Sequence, residues 1–192
     1  MKVRFLFLLT LFFMTTGFAG EGKYSYMVLK NPYRFSTYFE MMGEHGYEGR
    51  VVSNFFHART TYDLYNAAGV YEGQGICRAL SLGVLCSWAR DIDIYDATGV
   101  CIGLIQGQVL TTAAAKFNFY DAYGQLVCSA YQNYNQSSFN MLDASPMERM
   151  MGVVKRNAIA DEWDVTLYQS DIVDHRCLKI FSAFVSDYQD SW

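Results

Sequence analysis

The stretch that most constrains this chain is DHRCLKIFSAFVSDY, residues 174–188. Its spacing predicts a helix, and Asp174 is a suitable N-cap. Placed at about 100° per residue, Cys177, Leu178, Ile180, Phe181, Ala183, Phe184, Val185 and Tyr188 cover most of the circumference. A helix apolar nearly all round must be buried all round. It is too short to cross a bilayer, which takes about 20 apolar residues. Around eleven or twelve short strand-like runs precede it. A closed sheet leaves no exposed edge, so the simplest container is a barrel wrapped around the helix. The expected fold is therefore mainly β: a closed antiparallel β-barrel of about twelve strands around a buried hydrophobic C-terminal helix.

A repeated phrase supplies the hairpins. Tyr62-Asp63-Leu64-Tyr65 leads to Asn66-Ala67-Ala68-Gly69. Ile92-Asp93-Ile94-Tyr95 leads to Asp96-Ala97-Thr98-Gly99, and Phe117-Asn118-Phe119-Tyr120 to Asp121-Ala122-Tyr123-Gly124. A degraded copy is Phe139-Asn140-Met141-Leu142 before Asp143-Ala144-Ser145-Pro146. Each alternates with period 2 before the turn and runs apolar after it. Asp or Asn closes an Asx turn by accepting backbone N–H groups just ahead, and the glycine three residues on supplies φ > 0. These carboxylates are turn-closing groups before they are general acids. Further strands are expected over residues 24–30, 34–42, 50–66 (two), 69–78, 80–88, 147–155 and 163–168, with a turn at 43–49. Gly73 and Gly75 hint at a bulge or a tight approach.

The N-terminus reads as a signal peptide, residues 1–19. Lys2 and Arg4 form a basic n-region, Phe5 to Met14 an apolar h-region, and Gly17-Phe18-Ala19 a small-x-small cleavage site. Residues 20–192 then form one domain. No later segment is long and apolar enough to span a membrane. The expected location is secreted or periplasmic. Removing Lys2 and Arg4 leaves 13 basic against 19 acidic side chains, a net of −6. A nucleic-acid partner would call for a basic footprint, so none is expected. The five cysteines have no zinc spacing. Cys77 and Cys86 flank a short segment and are the candidate disulfide pair, against five buried thiols as the plainer reading.

The hairpins, their Asp-x-x-Gly turns and the apolar terminal helix resemble the tubby C-terminal-like superfamily, which includes tubby domains, phospholipid scramblases and LURP-one-related proteins. The likeness covers about residues 24–190. It implies a roughly twelve-stranded barrel threaded by a hydrophobic helix. It also implies lipid recognition, which in tubby domains uses clustered Lys and Arg. Here only Lys155-Arg156 stands as a candidate lipid-binding pair. The cysteine run of scramblases is not found. Asp171 and Asp174 read as strand-end and capping residues, since Ca²⁺ takes about 6–8 oxygens.

No catalytic motif emerges. GEHGYEG (residues 43–49) lacks the Lys-Ser/Thr of a phosphate loop. No serine or cysteine has a nucleophile context, and no cofactor or metal ligand set is indicated. The leading expectation is a non-enzymatic binding or structural module whose partner is a lipid headgroup or a protein. Two alternatives stand beside it. One is a phospholipid-associated, scramblase-like protein. The other is an enzyme with a cleft near Asp161, Asp164 and His175.

Overall fold

The computed structural model describes residues 23–33, 36–54, 59–79, 89–111, 114–133, 137–157, 162–169 and 171–189. Twelve strands close into one barrel: β1 (Tyr24–Tyr33), β2 (Ser36–Gly43), β3 (Gly46–Asn54), β4 (Thr61–Asn66), β5 (Tyr71–Cys77), β6 (Asp91–Asp96), β7 (Cys101–Thr111), β8 (Ala114–Asp121), β9 (Leu126–Gln132), β10 (Ser138–Asp143), β11 (Met150–Asn157) and β12 (Glu162–Leu167). Each strand pairs antiparallel with its sequence neighbours, and β1 pairs with β12 to close the ring. The helix α1 (His175–Gln189) follows β12.

Period-2 alternation sends one face of each strand inward. Ile92 and Ile94 of β6 are buried between the half-buried Asp91, Asp93 and Tyr95. The helix fills the space inside. Leu178, Ile180, Phe181, Ala183, Phe184 and Val185 have no exposed surface, and Cys177, Ser182 and Ser186 are buried with them. It packs on β1–β5, β7 and β12, and its rings reach β8 and β10. Phe181 stacks edge-on against Phe117, Phe119 and Phe139, with centroids 5.2, 5.1 and 5.6 Å away. Inside, the Tyr26 hydroxyl is 3.2 Å from the Ser182 hydroxyl of the helix. Asp174 caps the helix, its Oδ1 accepting the Arg176 N–H at 2.8 Å.

The hairpin phrase behaves as its chemistry requires. Asn66 Oδ1 accepts the N–H groups of Ala68 and Val70 at 3.0 and 2.9 Å. Asp96 holds Thr98 and Val100, and Asp121 holds Tyr123 and Gln125, in the same way. Gly69, Gly99 and Gly124 take φ of 76°, 84° and 77°. In the degraded copy Asp143 Oδ1 still accepts two N–H groups, from Ser145 and Arg149. There the loop is longer, and Glu148 takes the positive φ, at 45°.

Three expectations need correction. Residues 43–49 are not mostly turn: only Glu44 and His45 turn, and β3 starts at Gly46. The strand expected from Met147 starts at Met150, because the longer loop consumes residues 144–149. The run 69–78 contributes a strand only from Tyr71. The strand expected at 80–88 lies outside the described residues.

Candidate functional site

The helix enters the barrel at the end where β2–β3, β4–β5, β6–β7, β8–β9 and β10–β11 turn. We call this end the hairpin rim. All five hairpins slip register close to their turns. Each slip leaves one extra residue, namely Glu48, Glu72, Ile102, Val127 and Met151. A bulge bends its strand and re-aims a side chain, and these five residues turn toward the barrel mouth. Met151 is buried, while Ile102 and Val127 pack against the core. Glu48 meets Lys179 of the helix at 3.7 Å and accepts a hydrogen bond from the Tyr24 hydroxyl. Burial beside Glu48 pushes the Tyr24 hydroxyl well above the ordinary tyrosine range.

An open hollow of about 1260 Å³ lies at this mouth. Tyr24, Tyr71, Glu72, His175, Arg176 and Lys179 are among its walls. The His175 ring stands edge-on to Tyr24 at 4.7 Å. Asp174 and Arg176 pair at 2.7 Å. The Arg176 hydrogen bonds and charge hold the Asp174 carboxyl below its usual range, against the desolvation that raises it. Charges here are mixed and mostly paired, so the mouth offers polar contacts to a partner without favouring one sign of ion.

Beyond the mouth the rim is apolar at its tips. Among the described residues nine large apolar side chains are exposed at this end. The most exposed are Tyr123 at 88% and Met147 at 85%, at the tips of the neighbouring hairpins β8–β9 and β10–β11. The Ala144 N–H donates to the Val127 carbonyl at 3.2 Å, tying those two hairpins together. Val70 and Val100 continue the series on the next two hairpins. A clustered set of exposed apolar groups marks an interaction surface more often than singly scattered ones do.

The residues singled out from sequence do not form one site. Lys155 is exposed on the outer face opposite Asp164, whereas Arg156 pairs with the buried Trp163 and is half-buried. Consecutive strand residues face opposite ways, so Lys155 and Arg156 share no patch. Asp164 and Lys155 line a shallow outer groove of about 550 Å³, while His175 lines the mouth hollow. Asp164 and His175 are thus not brought together, and Asp161 lies outside the described residues. Cys77 is buried, and that burial pushes its thiol up to about 11. Cys86, and with it the Cys77–Cys86 pairing, lies outside the described residues. Among the described residues no group of three or more His, Cys, Asp or Glu is placed to hold a metal. No helix among them is long and apolar enough to cross a membrane.

Sequence reasoning missed the rim. The signal was present in the turns: the residue before the glycine is Ala68, Thr98 and Tyr123 in successive copies, and only the third is aromatic.

No family model matches the chain, and no curated protein matches it. Among solved structures, the X-ray structure of a protein from Arabidopsis thaliana is similar, with a TM-score of 0.56 and 9% identity. The match covers 90% of this chain and 93% of that one. At this identity the likeness shows the fold alone.

Proposed function

We propose that this chain is an exported, non-enzymatic member of the tubby C-terminal-like superfamily that binds a partner through its hairpin rim. The observation that carries the reading is the run of exposed apolar side chains, Val70, Val100, Tyr123 and Met147, at the tips of four successive hairpins. The filled interior supports it from the other side. With the helix occupying the barrel, recognition falls to an outer surface. The twelve-stranded barrel around its helix and the hairpin phrase support the superfamily reading. The n-region, apolar run and small-x-small site favour export. The turn roles of Asp96, Asp121 and Asp143 account for carboxylates that would otherwise invite a catalytic reading.

The test places a photo-crosslinking residue at Tyr123 or Met147, and at Lys155 as an outer-wall control, in the cell that makes the protein. Crosslinks to one defined partner from the rim positions alone are expected. Equal crosslinking from Lys155, or none from the rim, would refute the rim as the binding surface. Vesicles of neutral and of anionic phospholipid separate the lipid-associated alternative, which requires sedimentation with vesicles. N-terminal sequencing of the recovered protein checks export: a chain starting at Gly20 is expected, and an intact Met1 start contradicts it.

A further inference from the structure

We propose that the hollow at the barrel mouth binds a small zwitterion of the free α-amino acid or short peptide type, its ammonium on Glu72 and its carboxylate on Lys179. Both side chains line the hollow. They reach it by different routes. The slip between the pairs Leu64–Gly73 and Tyr65–Tyr71 leaves Glu72 with no residue opposite it, and the bulge turns it to the mouth. Lys179 comes from the helix, one turn after His175 and on the same face.

Hydrogen bonding separates these two groups from the other charges of the mouth. Asp174 and Arg176 satisfy each other, with Arg176 donating to both carboxylate oxygens. Glu48 accepts from the Tyr24 hydroxyl, and its Oε2 stands 3.7 Å from Lys179 Nζ. That is beyond hydrogen-bond length. Lys179 therefore spends none of its N–H donors on a described residue, although its side chain is only 12% exposed. Glu72 is half-buried and makes no ion pair or hydrogen bond with a described residue. Charged groups held in little water gain from each hydrogen bond still to be made. A simple cation would satisfy Glu72 and leave Lys179; a simple anion would do the reverse. A ligand with one group of each sign serves both, and it adds no net charge to a mouth that favours neither sign.

The remaining walls describe the rest of the ligand. The Tyr24 and Tyr71 rings, with Val70 and Val173, also line the hollow and suit an apolar or aromatic side chain. Burial, Glu48 and then Glu72 push the Tyr24 hydroxyl upward, so the Glu72 charge lies within electrostatic reach of that ring. The hollow, at about 1260 Å³, is larger than the roughly 300–1,000 Å³ usual for a small-molecule site. A short peptide therefore has room where a single amino acid does.

The site sits inside the rim and uses neither Tyr123 nor Met147. It requires neither export nor a macromolecular partner. Titration calorimetry of the purified protein at neutral pH compares L-phenylalanine and glycyl-L-phenylalanine with phenethylamine, which lacks the carboxylate, and 3-phenylpropionate, which lacks the ammonium. Saturable binding of at least one zwitterion is expected. Both single-charge analogues should bind more weakly by at least about tenfold, the least that one charged hydrogen bond contributes. Glu72→Gln should abolish the preference over 3-phenylpropionate, and Lys179→Met the preference over phenethylamine. Glu72→Gln disturbs no ion pair, so it carries the test if Lys179→Met does not fold. Three results overturn the proposal: no saturable binding by either zwitterion, equal affinity for a single-charge analogue, or unchanged preferences in Glu72→Gln. A uniform loss across all four ligands would mark a structural role and overturn it as well. Each of these leaves the rim reading standing, because crosslinks from Tyr123 and Met147 do not depend on the hollow.

Discussion

Phe181→Ala probes the contact between helix and barrel most simply. The side chain is fully buried and makes edge-on contacts with Phe117, Phe119 and Phe139 at 5.1 to 5.6 Å. Truncating a buried phenylalanine costs about 3–5 kcal/mol, the larger values where neighbours cannot close the cavity. Here the three rings project from a closed sheet that cannot collapse inward, which places the cost at the upper end of that range. The expected loss is therefore about 4–5 kcal/mol. With a urea slope of about 2 kcal/mol/M, the unfolding midpoint should fall by roughly 2 M, with the slope unchanged. Tyr123→Ala, at the exposed tip, should move it by no more than about 0.5 kcal/mol. A loss below about 1 kcal/mol for Phe181→Ala would mean that the helix does not fill the barrel as described.

Other perturbations address other links. Gly99 sits at φ 84° with open space around its Cα, so Gly99→Val isolates backbone strain and should cost about 1–2 kcal/mol; an unchanged melt would contradict the turn geometry. A Cβ on Gly75 would lie 2.7 Å from Ile180 Cγ2 and 3.0 Å from Ile92 Cγ2. Gly75→Ala should thus cost about 1–3 kcal/mol, and Ile180→Ala in the same chain should recover part of that; strict additivity in the double-mutant cycle would show that the two do not touch. Asp187, near the helix C-terminus, is raised by burial despite Lys30 at 3.6 Å and hydrogen bonds from Tyr62 and Ser53. An acid with a raised folded pKa favours folding at low pH and loses that contribution as pH rises through the folded pKa. Relative to Asp187→Asn, the wild type should lose stability as pH rises from 4 toward neutrality, and parallel curves would contradict the assigned burial.

The helix was legible because an all-round apolar surface admits few environments. The turns were legible because Asx chemistry and positive φ leave specific residues, even in the copy where Asp143 keeps its role and Glu148 replaces glycine. The bulges were not, since Glu48 and Glu72 look like ordinary exposed acids until the register slip turns them to the mouth. Lys155 and Arg156 adjoin in sequence, but strand alternation separates them. The close approach hinted at by Gly75 became specific only once Ile180 stood across from it. The rim escaped notice because its members come from separate hairpins, and topology alone brings Val100, Tyr123 and Met147 to one end.

The central claim is that the apolar side chains of residues 177–185 lie inside the barrel, shut off from water. Ala183→Cys tests it most directly, because Ala183 is fully buried and Cys101 is an exposed thiol in the same chain. Under native conditions a water-soluble alkylating reagent, read out by peptide mass, should modify Cys101 promptly and the new thiol at 183 only at the rate of unfolding. Labelling at position 183 as fast as at Cys101 would place the helix in water and contradict the account.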